Sequence, residues 1–77
     1  MIRDVTSQID DQIGRRLRTV RRSKGYTQQQ IGAAVGVRFQ QIQKYESGAN
    51  GASASRLWQL ATALGTSVDY FFEDLAD

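Results

Sequence analysis

The sequence predicts an all-α fold of five short helices, and three observations carry that prediction. Apolar residues recur at intervals of three and four instead of two. The 77-residue chain has no proline. Glycines stand just past the apolar runs, at Gly25, Gly36 and Gly65, where helices stop. A chain this short makes one domain, read as residues 8–77 behind a flexible N-terminal arm at residues 1–7.

Ile9, Ile13, Leu17 and Val20 form one stripe and place a first helix at about residues 8–24. Asp10 and Asp11 open it and Arg21, Arg22 and Lys24 close it, which suits the helix dipole. Thr27-Gln28-Gln29-Gln30 has capping-box spacing, so a second helix runs from about 28 to 35 with Ile31 and Val35 inward. A third follows at about 38–46, with Ile42 and Tyr45 inward. Ser47-Gly48-Ala49-Asn50-Gly51 is a turn-rich break. Ser53 caps a fourth helix at about 54–64, carrying Leu57, Leu60, Ala61 and Leu64. Ser67 caps a fifth, from 68 toward 75, carrying Val68, Phe71, Phe72 and Leu75.

Composition excludes more than it selects. Without cysteine there are no disulfides and no thiolate metal sites. Without histidine the commonest general base and metal ligand are missing too. No phosphate-binding glycine loop occurs, and the acidic group Glu73, Asp74 and Asp77 lies on a terminal helix where carboxylates are solvated. The expectation is a protein that is not an enzyme and carries no cofactor or metal. No apolar run approaches the roughly 18 residues of a membrane span, and Met1-Ile2-Arg3-Asp4 has no signal-peptide core. The chain is therefore read as soluble, cytoplasmic and independent of membranes.

The net charge of +2 is modest, but its distribution is not. Eight basic residues (Arg15, Arg16, Arg18, Arg21, Arg22, Lys24, Arg38, Lys44) lie between positions 15 and 44 with no acid among them. A one-signed field of that kind suits a polyanion.

The sharpest signal is two short helices separated by only Gly36-Val37. So tight a turn forces a steep crossing and favours a glycine with positive φ at 36. Gly32, one helical turn earlier, permits close approach of the following helix. Ile31, Val35, Val37, Ile42 and Tyr45 supply the wedge between the two. This is a helix-turn-helix at about 28–46. The outward side of its second helix reads Phe39, Gln40, Gln41, Gln43, Lys44, donors and acceptors of the kind that read base edges in the major groove. The start of its first helix, Thr27-Gln28, offers amides to a phosphate. Arg18 and Arg22 suit sequence-independent backbone contacts.

Over residues 13–72 the chain resembles the Xre, Cro and lambda-repressor-like helix-turn-helix domains. The matching pieces are Ile13-Gly14-Arg15-Arg16-Leu17-Arg18, Arg21, Gly25-Tyr26-Thr27-Gln28, Ile31-Gly32, Val35-Gly36-Val37, Ile42, Tyr45-Glu46-Ser47-Gly48, Ser53, Leu57, Leu60-Ala61, Ala63-Leu64-Gly65 and Ser67. The resemblance implies a transcription repressor that binds double-stranded DNA as a homodimer on a palindromic operator, with half-sites about 34 Å apart and the helix at 38–46 in the major groove. It implies base contacts from Arg38, Phe39, Gln40, Gln43 and Lys44 and a phosphate clamp at Gln28; Arg18, Arg22, Thr27, Gln41, Ser47 and Asn50 are the further candidate phosphate contacts. It also implies an ion pair between Arg21 and Glu46.

Three features depart from the family pattern. Arg38 stands where a serine or threonine usually caps the third helix, at a cost of roughly 1 kcal/mol. Ala49-Asn50-Gly51-Ala52 is neutral where the family is often basic. Phe39 either touches a thymine methyl or folds back onto the second helix. Near the C-terminus, Trp58, Tyr70, Phe72 and Leu75 exceed what a small core requires. They are read as a patch for a second copy, for a larger C-terminal domain, or for a partner protein. The alternative function is accordingly an antitoxin-type module that binds a partner protein as well as its own promoter.

Overall fold

A computed structural model of the chain describes residues 2–75. It contains α1 (Ile2–Ser23), α2 (Gln28–Val35), α3 (Phe39–Ser47), α4 (Ala54–Leu64) and α5 (Asp69–Phe72). No strand occurs among the described residues. Every helix contributes to one core: Leu17 and Val20 from α1, Ile31 from α2, Ile42 and Tyr45 from α3, Leu57, Leu60 and Leu64 from α4, and Phe71 from α5.

α2 and α4 run over the residues their sequence signals predict. The capping box is present at both of its bonds: Thr27 Oγ1 accepts from the Gln30 amide at 3.1 Å, and Gln30 Oε1 accepts from the Thr27 amide at 2.8 Å. Ser53 Oγ accepts from the Arg56 amide at 3.1 Å and so caps α4.

The two ends of the chain differ from expectation. Residues 2–7, expected as part of a flexible arm, continue α1. Met1 lies outside the described residues. The extension is not driven by burial, since Val5 is 53% exposed. Once a helix is nucleated, each added residue gains a hydrogen bond, and neither glycine nor proline interrupts positions 2–13. At the other end, α5 is a single turn that stops at Phe72. Ser67 does not cap it; Val68 occupies that position with helical angles and no side-chain bond. Glu73 is extended, so Leu75 lies beyond the helix. The acidic residue Asp77 lies outside the described residues.

The α1–α3 crossing is closer than the sequence reading allowed for. A Cβ on Gly14 would collide with the carbonyl oxygen of Tyr45 and lie 2.7 Å from that of Glu46. The backbone of α3 therefore rests directly on α1, and this contact fixes how α3 sits on the body.

Candidate nucleic-acid interface

The turn between α2 and α3 is built as its glycines demand. Gly36 has φ of 78°, a left-handed conformation that side-chain-bearing residues rarely adopt. The Val37 amide bonds to the Gly32 carbonyl at 2.9 Å, closing the end of α2. A Cβ on Gly32 would lie 2.6 Å from the Val37 oxygen, so residue 32 must lack a side chain for the turn to fold over it. Arg56, from α4, adds a bond to the Val35 carbonyl at 2.5 Å.

Beyond the turn, α3 divides lengthwise. Ile42, Tyr45 and Glu46 are buried, while Gln40, Gln43, Lys44 and Ser47 form an exposed stripe. Arg38 precedes it, exposed and making no side-chain cap bond. Phe39 and Gln41 are half-buried, at the edges of the stripe. An open groove of about 440 Å³ runs beside it, lined by Arg18, Gln28, Gln43, Lys44, Glu46 and Ser47.

Beneath this face lies a buried polar network. Arg21 Nε is 2.6 Å from Glu46 Oε2 and Arg21 Nη2 is 3.0 Å from Glu46 Oε1. Arg21 Nη1 also donates to the Tyr26 carbonyl at 2.8 Å, just before α2. Gln28 Nε2 donates to Glu46 Oε1 at 3.1 Å. The pair thus ties α1, the start of α2 and α3 together. A buried ion pair of this kind rewards complete bonding and makes the loss of one partner costly.

The basic stretch is not uniformly available. Arg21 belongs to the buried pair. Arg16 turns to the C-terminal segment, with bonds to the Tyr70 and Glu73 carbonyls at 3.0 Å each and its guanidinium 5.1 Å from the centre of the Tyr70 ring. Arg15, Arg18, Arg22, Lys24, Arg38 and Lys44 stay exposed. Among the smaller residues expected at phosphates, Thr27 is exposed and serves the capping box. Ser47 donates its hydroxyl proton to the Lys44 carbonyl, so it has no ready donor for an anion. Asn50 Nδ2 donates to the Ala49 carbonyl.

The expected aromatic patch is not gathered in one place. Trp58 is 63% exposed and lines a groove of about 410 Å³ with Ala34, Val35, Gln59, Thr62 and Ala63. Tyr70, Phe72 and Leu75 do not line that groove. Tyr70 stacks edge-on against Phe71 and under Arg16.

Sequence reasoning missed the roles of Gly14, Gln12 and Arg16. Gly14 left a signal, a glycine inside a strong helical pattern, which marks close backbone approach. Gln12 and Arg16 left none, because their partners are carbonyls more than fifty positions away. Among the described residues no group of three or more acidic, histidine or cysteine side chains could hold a metal, and no helix is long and apolar enough to cross a membrane.

Residues 17–71, which hold the turn, α3 and the buried pair, match the helix-turn-helix family model HTH_3. The chain belongs to the HTH_3 helix-turn-helix family. It is 48% identical over 69 residues to an uncharacterized HTH-type transcriptional regulator of Sinorhizobium fredii, covering 90% of this chain and 48% of that protein. It is 48% identical over 67 residues to an uncharacterized transcriptional regulator in the ATPase CF(0) region of Rhodospirillum rubrum, covering 87% and 62%. The chain thus spans about half the length of the curated relatives it matches. Among solved structures it is similar to the restriction-modification controller protein C.AhdI of Aeromonas hydrophila, with 28% identity, a TM-score of 0.78, and coverage of 82% of this chain and 96% of that one. It is also similar to the clp gene regulator ClgR of Corynebacterium glutamicum, with 28% identity, a TM-score of 0.80, and 83% of each chain covered. Family, relatives and fold agree on a helix-turn-helix domain of the kind that HTH-type transcriptional regulators carry.

Proposed function

We propose that this chain is the DNA-reading domain of a repressor that binds a palindromic operator as a dimer, with α3 in the major groove. One observation carries the reading: α3 presents Gln40, Gln43 and Lys44 to solvent as a single stripe, while the one acid within α3, Glu46, is buried and matched by Arg21. A stripe of amides and an amine, without an uncompensated carboxylate, suits base edges flanked by phosphates. Arg38, Gln40, Gln43 and Lys44 are the proposed base contacts, with Phe39 at the margin. Arg18, Arg22, Gln28, Gln41 and the backbone near Thr27 and Asn50 are the proposed phosphate contacts. A dimer would set two copies of α3 about 34 Å apart, with Phe72 or Trp58 as the exposed apolar residues available for pairing. Such a protein works in the cytoplasm, where its operator is.

Selection of bound sites from random duplex DNA tests this directly. The expected result is a two-fold symmetric consensus whose affinity falls by orders of magnitude between roughly 50 and 200 mM salt. Lys44→Ala should cost about 1–3 kcal/mol on the selected site and relax one position, whereas Arg18→Ala should weaken all sequences alike. Absent or salt-insensitive binding to every duplex overturns the reading.

The exposure of Trp58 beside an apolar groove favours a second role, docking of a partner protein such as a toxin. Mixing with the product of the adjacent gene should then shift Trp58 emission, and unchanged emission with no complex on gel filtration counts against it.

A further inference from the structure

The groove beside α3 holds more than a row of contacts, and what it does rests on the DNA-binding function proposed above. Gln28 lines that groove, yet its amide already bonds to a carboxylate that is itself fixed.

We propose that Glu46 is a positioning residue for DNA recognition: held by Arg21, it orients the Gln28 carboxamide so that an N–H, and not the carbonyl, is offered to the nucleic acid. The chemistry of the three groups fixes which end of the amide faces Glu46 and leaves an N–H for the groove as the inference. A carboxamide is ambivalent, with a donor and an acceptor that exchange places on a half-turn. A phosphate oxygen only accepts. An ionised carboxylate likewise only accepts. The half-turn that would set the Gln28 oxygen against Glu46 therefore meets repulsion, and Nε2 stays on the Glu46 side. One of its two hydrogens is engaged at 3.1 Å; the other remains for an acceptor in the groove.

Glu46 suits this task where its amide counterpart does not. Its Oε1 accepts from Arg21 Nη2 and Gln28 Nε2 together, while Oε2 accepts from Arg21 Nε. A glutamine has only one accepting oxygen for three donors. Arg21 in turn cancels the negative charge that would repel a phosphate so near. It also holds the Tyr26 carbonyl, so the same pair sets both the start of α2 and the side chain that α2 carries into the groove. Ordering Gln28 before binding removes a rotamer cost that a loose side chain would incur at the moment of contact.

The test is a double-mutant cycle on the 77-residue chain with a fluorescein-labelled duplex carrying its selected site. The pair is removed as Arg21→Met with Glu46→Leu, which leaves no buried charge unpaired. In the wild-type background Gln28→Ala should weaken binding about three- to tenfold, the worth of one hydrogen bond. In the pair-free background it should weaken binding by less than about twofold, the excess having depended on orientation. Side-chain NMR of the protein without DNA supplies a readout that a merely structural role of the pair would not move. The Gln28 Nε2 group should show a high side-chain order parameter and displaced proton shifts in wild type, and the low order and ordinary shifts of a free glutamine in the pair-free variant, with the backbone spectrum kept. Equal losses in both backgrounds, or a mobile Gln28 amide in wild type, overturn the proposal. If the pair-free variant does not fold, the wild-type amide measurement decides alone. If wild type binds no duplex at all, the DNA-binding reading fails, while the NMR comparison still decides whether Glu46 orients Gln28.

Discussion

α2 and α5 are the two shortest helices of the molecule, and they are held in opposite ways. α2 carries its own ends: Thr27 and Gln30 bond reciprocally at its start, and Gly36 with Val37 closes the other end onto Gly32. α5 has no side-chain cap at its start. The carbonyls around its end are taken by side chains of α1. Gln12 Nε2 reaches the Glu73 oxygen at 2.9 Å and Arg16 reaches those of Tyr70 and Glu73. Phe71, fully buried, pins it to the core. A helix of α2's kind is specified where it stands. One of α5's kind exists only once the rest of the chain has folded beneath it.

That contrast can be broken from either side. The largest effect is expected at the junction that seats α2. Arg21→Met leaves Glu46 buried and unpaired and should cost about 3–5 kcal/mol by urea unfolding, with most of it recovered when Glu46→Leu is added. Next, Phe71→Ala should cost about 3 kcal/mol, near the low end for such truncations, because a terminal turn can detach instead of enclosing a cavity. Hydrogen exchange should show the amides of residues 69–72 losing protection first. Arg16→Ala follows, at about 1–2 kcal/mol and confined to the same amides, through its lost carbonyl bonds. Its ion pairs with Glu73 and Asp74 involve side chains that are 59% and 92% exposed, so raising salt should leave that protection nearly unchanged. Thr27→Ala should be smallest, about 1 kcal/mol, and should lower the protection of α2 amides while leaving α5 untouched. A uniform loss of protection across both helices in any of these variants would erase the distinction.

The site follows the same division. The turn at Gly32 and Gly36 and the exposed stripe of α3 are legible in the sequence, because glycine placement and helical period are local properties. The resemblance to lambda-repressor-like domains supplies the Arg21–Glu46 pairing, and the two groups lie 2.6 Å apart. The attachment of Gln28 to that pair is not legible, since nothing in the order of residues says which polar side chains share a carboxylate. Nor is the loss of Arg16 from the basic face: in sequence it is one more cation among eight, and only its proximity to Tyr70 and Glu73 removes it. Trp58, Tyr70, Phe72 and Leu75 read as one patch because hydrophobicity is all the sequence reports of them. Folding sends Trp58 to a groove beside α2 and Tyr70 to the underside of Arg16.

From residue order alone come the number of helices, the limits of α2 and α4, the turn between α2 and α3 and the side of α3 that stays wet. These depend on contacts within about four positions, where backbone geometry leaves few choices. Tertiary structure alone decided where α5 ends, which arginines stay exposed and what holds Gln28. Those outcomes depend on which surfaces meet, and two backbones touching at Gly14 set that meeting.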